Sequence, residues 1–329
     1  MKFFCVDMHI SVMKDIEHIF GDLGHEVRRE SLSGHNWVDG INDSKLSIPS
    51  RGNWQEIGPA MVKKFYAKYK NAFQEYDGFI HSYPPAFALL FEQFGKPVIT
   101  ITCTRFDYPV FPVQFQWLSA GLRRMVQTGQ LILLANNKLD KFYNETFLGI
   151  PTQHISSLCN YLDQKDGTES PDFLLWTRGG QSLASRYLNK DFSIKQKYDR
   201  EKIKTHAGVI HLPYNLSIMS AFEHYWQNIP LFFPSLRFQT QLWKEGAGAL
   251  CEVLFENTAL YFDENLIHLA DWYDEDNFYG VQFFDGFDEL EMQLQTVNLE
   301  EVSNWMATQN HERKIAVYSQ WERVLEKLR

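Results

Sequence analysis

Residues 211–234 read HLPYNLSIMSAFEHYWQNIPLFFP, and this stretch decides the fold. An apolar strand ends near Pro213, a polar loop and a helix follow, and the chain enters a second strand after Pro230. Strand–helix–strand units of this length are typical of parallel sheets that carry helices on both faces. The stretch therefore predicts an α/β protein.

The same unit recurs along the chain. Apolar runs bounded by turn residues predict strands at 2–6, 76–80, 98–101, 131–135, 173–176, 209–212 and 231–233. Their grouping predicts two Rossmann-like domains, 1–160 and 173–305, joined by a polar linker at 161–172. Residues 306–329 are expected to form a helix that packs back on the N-terminal domain.

Composition limits the class of function. The 329 residues carry a net charge of −9, which does not attract nucleic acid through the overall field. Four widely separated cysteines without a C-x-x-C pair fit a reducing compartment. No apolar run approaches the roughly 20 residues of a membrane span, and Asp7 and His9 interrupt any signal-peptide core. We expect a cytoplasmic protein without a transmembrane segment.

The polar loop at 213–220 and the helix after it are candidates for nucleotide binding. A helix N-terminus offers N–H groups and partial positive charge to a diphosphate. Glu223 lies about one turn inside the helix, where its carboxylate can accept hydrogen bonds from both ribose hydroxyls. The alternative is an ordinary buried unit with a capping serine and a solvated glutamate. The candidate binding residues are Tyr214, Ser217, Met219, Ser220 and Glu223.

A second candidate loop, WTRGGQS at 176–182, directly follows the predicted strand 173–176. Glycines allow the backbone to approach a phosphate, and the arginine fork matches its oxygens. A Gly-Gly turn with an exposed arginine is the alternative. The candidate binding residues are Arg178, Gly179, Gly180 and Gln181.

Candidate catalytic groups follow strands of the first half. In 102–109, TCTRFDYP, Asp107 is a candidate general base and Arg105 a candidate for holding the leaving group. The alternative is an arginine–aspartate pair that holds the loop. His9, Ser11 and His81 lie on comparable loops and are candidate catalytic or acceptor-side residues.

The spacing of Ser220, Glu223 and Pro230 resembles the donor-binding helix of GT-B glycosyltransferases, in which the glutamate grips the ribose of a nucleotide sugar. The loop at 7–11 and the turn at 23–27 resemble the first strand–helix–strand unit of that fold.

Further segments extend the resemblance. Residues 136–143 resemble the end of the first GT-B domain, and Arg178-Gly-Gly-Gln181 resembles the corresponding loop of phage DNA β-glucosyltransferases. Retaining GT-B enzymes often carry a second glutamate eight residues before the first, but position 215 is Asn. Inversion with Asp107 as base is therefore preferred.

The resemblance implies two Rossmann-like domains facing across a cleft, with the donor on the second domain and the acceptor entering from the first. It implies a glycosyltransferase that uses a UDP- or GDP-type sugar as co-substrate and no separate cofactor. The acceptor hydroxyl would belong to a glycan, a protein or a modified DNA base. A nucleotide-sugar 2-epimerase or hydrolase, or an inactive binding protein of the same shape, remain the alternatives.

No metal site is predicted. The acidic runs at 274–276 and 285–289 are typical of solvated surface turns, and no paired carboxylates lie in the candidate donor loops.

Overall fold

The computed structural model describes residues 1–35, 44–107, 114–165, 171–177, 193–194, 203–213, 215–244 and 264–328. The chain forms two compact units. The first contains residues 1–157 and the C-terminal residues from 318, and the second contains described residues between 158 and 317. Among the described residues no helix is long and apolar enough to cross a membrane.

The first unit is built on a six-stranded sheet in the order β2-β1-β3-β4-β5-β6, and every pairing is parallel. Its strands are β1 Lys2–Asp7, β2 Glu26–Ser31, β3 Gly78–His81, β4 Val98–Thr102, β5 Leu131–Ala135 and β6 Gln153–His154. Its helices are α1 Ile10–Asp22, α2 Pro59–Tyr69, α3 Ala88–Phe91, α4 Phe115–Gln127 and α5 Lys138–Tyr143.

The core of the first unit is rich in phenylalanine. Phe79 on β3 stacks on Phe91 of α3 with ring centroids 4.2 Å apart. Helix α1 ends before Gly24, whose φ of 77° is left-handed, a conformation that glycine commonly adopts just after a helix. The C-terminal residues from 318 add to this core, since the Trp321 ring packs edge-on against Phe20 with ring centroids 5.2 Å apart.

The second unit is built on a five-stranded sheet in the order β11-β10-β9-β7-β8, again with parallel pairings. Its strands are β7 Phe173–Thr177, β8 Ser193–Ile194, β9 Gly208–Leu212, β10 Leu231–Pro234 and β11 Gln282–Phe284. Helices α6 Met219–Trp226, α7 Leu236–Lys244 and α8 Phe287–Thr296 lie in this unit, and α9 Leu299–Glu326 begins in it.

Both sheets have the Rossmann-like arrangement, which confirms the predicted α/β class. In each sheet the strand order reverses once, between β1 and β3 in the first unit and between β7 and β9 in the second. Ligands of open α/β sheets bind outside the carboxyl ends of the strands at this reversal. The reversal points are therefore where the candidate residues have to be sought.

Candidate functional site

Asp7, the last residue of β1, lies at the reversal point of the first sheet. Its carboxylate is buried and accepts hydrogen bonds from the Ser82 hydroxyl at 3.0 Å and from the backbone N–H of Tyr83 at 3.0 Å. The N–H groups of Ser82 and His9 donate to the same carboxylate. Burial raises the pKa of Asp7 to about 7, against these hydrogen bonds, which favour the charged form. Asp7 thereby fixes both loops at this edge.

His9 is the N-cap residue of α1. Its Nδ1 accepts from the backbone N–H of Val12 at 3.4 Å, and burial lowers the pKa of its imidazole to about 4. A neutral ring that accepts at Nδ1 carries its proton on Nε2, so Nε2 is a donor in this arrangement. Ser11 is half-buried in the first turn of the same helix.

His81 lies at the end of β3 with its ring inside the unit. Its side chain is fully buried, Nε2 lies 3.0 Å from the Thr100 hydroxyl on β4, and burial lowers the pKa of the ring to about 3. This environment favours a neutral histidine that connects neighbouring strands.

Arg105 and Asp107 form an ion pair beyond the end of β4. Arg105 Nε lies 3.2 Å from Asp107 Oδ1, both side chains are buried, and the guanidinium lies 5.8 Å from the ring centre of Tyr143. Burial raises the pKa of Asp107, and the Arg105 charge opposes this shift. The structure therefore brings the predicted pair together.

Asp140 was not predicted as a site residue. It is buried near the Arg105–Asp107 pair and accepts from the Asn137 side chain at 2.6 Å. Burial raises the pKa of Asp140 to about 7. The sequence feature that could have pointed to Asp140 is the start of α5. Asn137 is the N-cap residue of this helix, and its side chain accepts from the Asp140 N–H at 2.7 Å.

At the reversal point of the second sheet, the chain leaves β9 and enters α6. The N-cap of α6 is Ile218, which makes no side-chain cap hydrogen bond, and the neighbouring Ser217, Met219 and Ser220 are half-buried. The serine cap considered as an alternative is therefore absent from this described helix end.

Glu223 lies in the second turn of α6 and is only 2% exposed. Its Oε1 accepts a hydrogen bond of 2.5 Å from the hydroxyl of Tyr161. The alternative of a solvated glutamate does not fit this burial. Tyr161 was not predicted, because it precedes Glu223 by 62 residues and carries no local motif.

A pair of buried histidines, His211 on β9 and His224 on α6, was also not predicted. His211 Nε2 lies 3.1 Å from Nδ1 of His224, and the His211 ring stacks on Phe233 with centroids 4.5 Å apart. Trp176 meets His224 edge-on at 4.6 Å. Burial lowers the pKa of His211 to about 3, so the His211 ring packs in its neutral form.

Five predicted binding residues lie outside the described residues, namely Arg178, Gly179, Gly180, Gln181 and Tyr214. Within the described ranges, no group of three or more His, Cys, Asp or Glu side chains is arranged to hold a metal ion.

Comparison with known proteins places the fold. No protein-family model matches the chain, and no curated protein sequence matches it. Among solved structures, the spinosyn forosaminyltransferase SpnP is similar at a TM-score of 0.51 and 11% identity over 99% of each chain. The glycosyltransferase VinC, solved with dTDP, is similar at a TM-score of 0.50 and 9% identity over 100% of this chain and 99% of its own.

These similarities cover whole chains at low identity, and they show the fold. The protein has the GT-B fold of glycosyltransferases, as the resemblance of the Glu223 segment implied.

Proposed function

We propose that the protein is a glycosyltransferase that moves a sugar from a nucleoside diphosphate sugar to an acceptor hydroxyl. The observation that carries the proposal is the position of Glu223. It lies on α6, the helix that follows β9 at the reversal point of the second sheet, where open α/β sheets bind ligands. A carboxylate in this place is suited to accept from ribose hydroxyls.

The donor site is proposed to continue from Glu223 toward the start of α6. The N–H groups of its first turn, at Met219 and Ser220, would face the diphosphate, with Ser217 beside them. Arg178, Gly179, Gly180, Gln181 and Tyr214 are proposed to complete the donor site.

The transfer step is proposed to be metal-independent and inverting. The acceptor oxygen attacks the anomeric carbon, the bond from that carbon to the diphosphate oxygen breaks, and the nucleoside diphosphate leaves. Asp107 takes the acceptor proton, and its pKa, raised by burial, makes it a better base than an exposed carboxylate. Arg105, which contacts Asp107, is proposed to hold the leaving group, and His9 and Ser11 are proposed to lie on the acceptor side.

The donor is proposed to be a UDP- or GDP-type sugar, and the acceptor hydroxyl to belong to a glycan, a protein or a modified DNA base. The solved complex of VinC contains dTDP, so dTDP belongs in the same screen. A thermal-shift series with the three nucleotides identifies the base, since a ligand at 100 times its Kd stabilises by about 2.7 kcal/mol.

The test of the proposal is release of nucleoside diphosphate from nucleotide sugars, measured with and without acceptors. A transferase releases it faster when a suitable acceptor is present and forms a glycosylated product. Equal release without acceptor would indicate the 2-epimerase or hydrolase alternative. No release from any nucleotide sugar, with any acceptor class, would contradict enzymatic function.

A further inference from the structure

The segment 161–165 lies along the helix that carries Glu223. Trp226 Nε1 donates to the Leu162 carbonyl at 2.8 Å, and the Lys165 N–H donates to the Gln227 carbonyl at 3.1 Å. These bonds hold the segment against the C-terminal half of α6. Tyr161 is thereby placed beside Glu223.

The backbone before Tyr161 is strained. Cys159 is buried and has a φ of 63°, a left-handed conformation that side chains other than glycine rarely adopt. The turn is closed by a hydrogen bond from the Leu162 N–H to the Cys159 carbonyl at 3.2 Å. Conformations of this kind persist where the surroundings enforce them, and they cluster at ligand sites.

Tyr161 donates a short hydrogen bond to the buried carboxylate of Glu223. The Tyr161 hydroxyl lies 2.5 Å from Glu223 Oε1, and α6 and the 161–165 segment both restrict the movement of this pair. A glutamate side chain has three rotatable bonds, so a free carboxylate samples many orientations. The tyrosine removes that freedom before any ligand arrives.

We propose that Tyr161 is a positioning residue that orients the Glu223 carboxylate for the ribose of the donor. An ionised carboxylate has about four lone-pair sites, so it can accept from a tyrosine and from a ribose hydroxyl at the same time. Because the carboxylate is already ordered, donor binding does not bear that entropic cost. The proposal rests on the proposed function, since it assigns Tyr161 to the donor site.

The test compares UDP and GDP with their 2′,3′-dideoxy counterparts, which cannot bond Glu223 through the ribose. Calorimetry on the full chain is expected to show that Tyr161→Phe binds the preferred nucleotide about 10-fold more weakly and its dideoxy form unchanged. Tyr225→Phe is the matched control, because Tyr225 lies on the same helix but donates to the Tyr279 carbonyl at 2.8 Å. This control is expected to keep the wild-type preference for ribose.

Four results would overturn the inference. Tighter nucleotide binding by Tyr161→Phe would mean that the tyrosine competes with ribose. An equal loss for both forms would mean that Tyr161 only maintains the local structure. An unchanged ribose preference in Tyr161→Phe would remove Tyr161 alone and leave the proposed function intact. No binding of UDP, GDP or dTDP by the wild type would contradict both.

Discussion

Asp7 and Ser82 are 75 residues apart, yet the Asp7 carboxylate accepts from both the hydroxyl and the backbone N–H of Ser82. The pair joins the carboxyl ends of β1 and β3, the two strands between which the order of the first sheet reverses. Asp7 thus organises the edge at which acceptor-side chemistry is proposed.

Replacing Asp7 with alanine is expected to destabilise the protein strongly. The N–H groups of Ser82 and Tyr83 would lose their acceptor, and each unsatisfied buried donor costs about 1–3 kcal/mol. We expect urea unfolding to show a loss of about 3 kcal/mol or more. Asp276→Ala, at an exposed aspartate, serves as the control and is expected to stay within about 0.5 kcal/mol of wild type. A loss below 1 kcal/mol for Asp7→Ala would show that Asp7 does not fix this edge.

Asp107→Asn is expected to keep donor affinity and lose turnover by about 10²–10⁴-fold, because an amide cannot take the acceptor proton. Steady-state rates and nucleotide calorimetry on the same variant separate the two effects. If the Arg105–Asp107 pair only holds the loop, the variant would lose thermal stability first. A folded Asp107→Asn enzyme with wild-type turnover would remove Asp107 from catalysis, and His9 would be the next candidate.

The buried His211 is expected to make the protein sensitive to acid. Its pKa is about 3 in the folded chain and about 6.5 when unfolded, so the unfolded state gains a proton first as the pH falls. Stability from this group is present above pH 6.5 and is lost progressively down to about pH 3. Between pH 7 and 5 the loss is about 2 kcal/mol.

His211→Phe should therefore reduce the difference in unfolding free energy between pH 7 and 5 by about 2 kcal/mol, with exposed His311→Gln as the control. The comparison of variants is needed because the raised pKa of Asp7 acts in the opposite direction over this range. An identical pH dependence in wild type and His211→Phe would mean that folding does not lower the pKa of His211.

Activity is expected to survive excess EDTA. The charge of the leaving diphosphate is proposed to be stabilised by the N-terminus of α6 and by Arg105 and Arg178. Chelation does not remove these groups. The measurement is the rate of nucleoside diphosphate release before and after chelation. Complete loss, restored by magnesium or manganese, would show that the diphosphate site requires a metal.

Local patterns were sufficient to predict the fold. The strand predicted at 131–135 matches β5 to the residue, and the strand predicted at 2–6 ends one residue later as β1. The strand predicted at 76–80 begins two residues later and ends one residue later, as β3. Alternating apolar strands and amphipathic helices carry this information within 10–20 residues, which sequence reading captures.

The site was only partly predictable. The position of Glu223 on a helix after a strand and the proximity of Arg105 to Asp107 are encoded by neighbouring residues. Contacts between distant segments, Asp7 with Ser82 and Tyr161 with Glu223, leave no local signature. His9 was also not recognised as a helix cap, because caps are usually Ser, Thr, Asp or Asn.

We propose above that the second unit binds a nucleotide sugar through Glu223. Calorimetry of nucleoside diphosphate binding to wild type and Glu223→Ala tests this most directly. We expect the wild type to bind and the variant to bind about 10–100-fold more weakly, the scale of a lost hydrogen bond to a charged group. Glu275→Ala, at an exposed glutamate, should bind like wild type. Equal affinity of wild type and a folded Glu223→Ala protein would contradict the account.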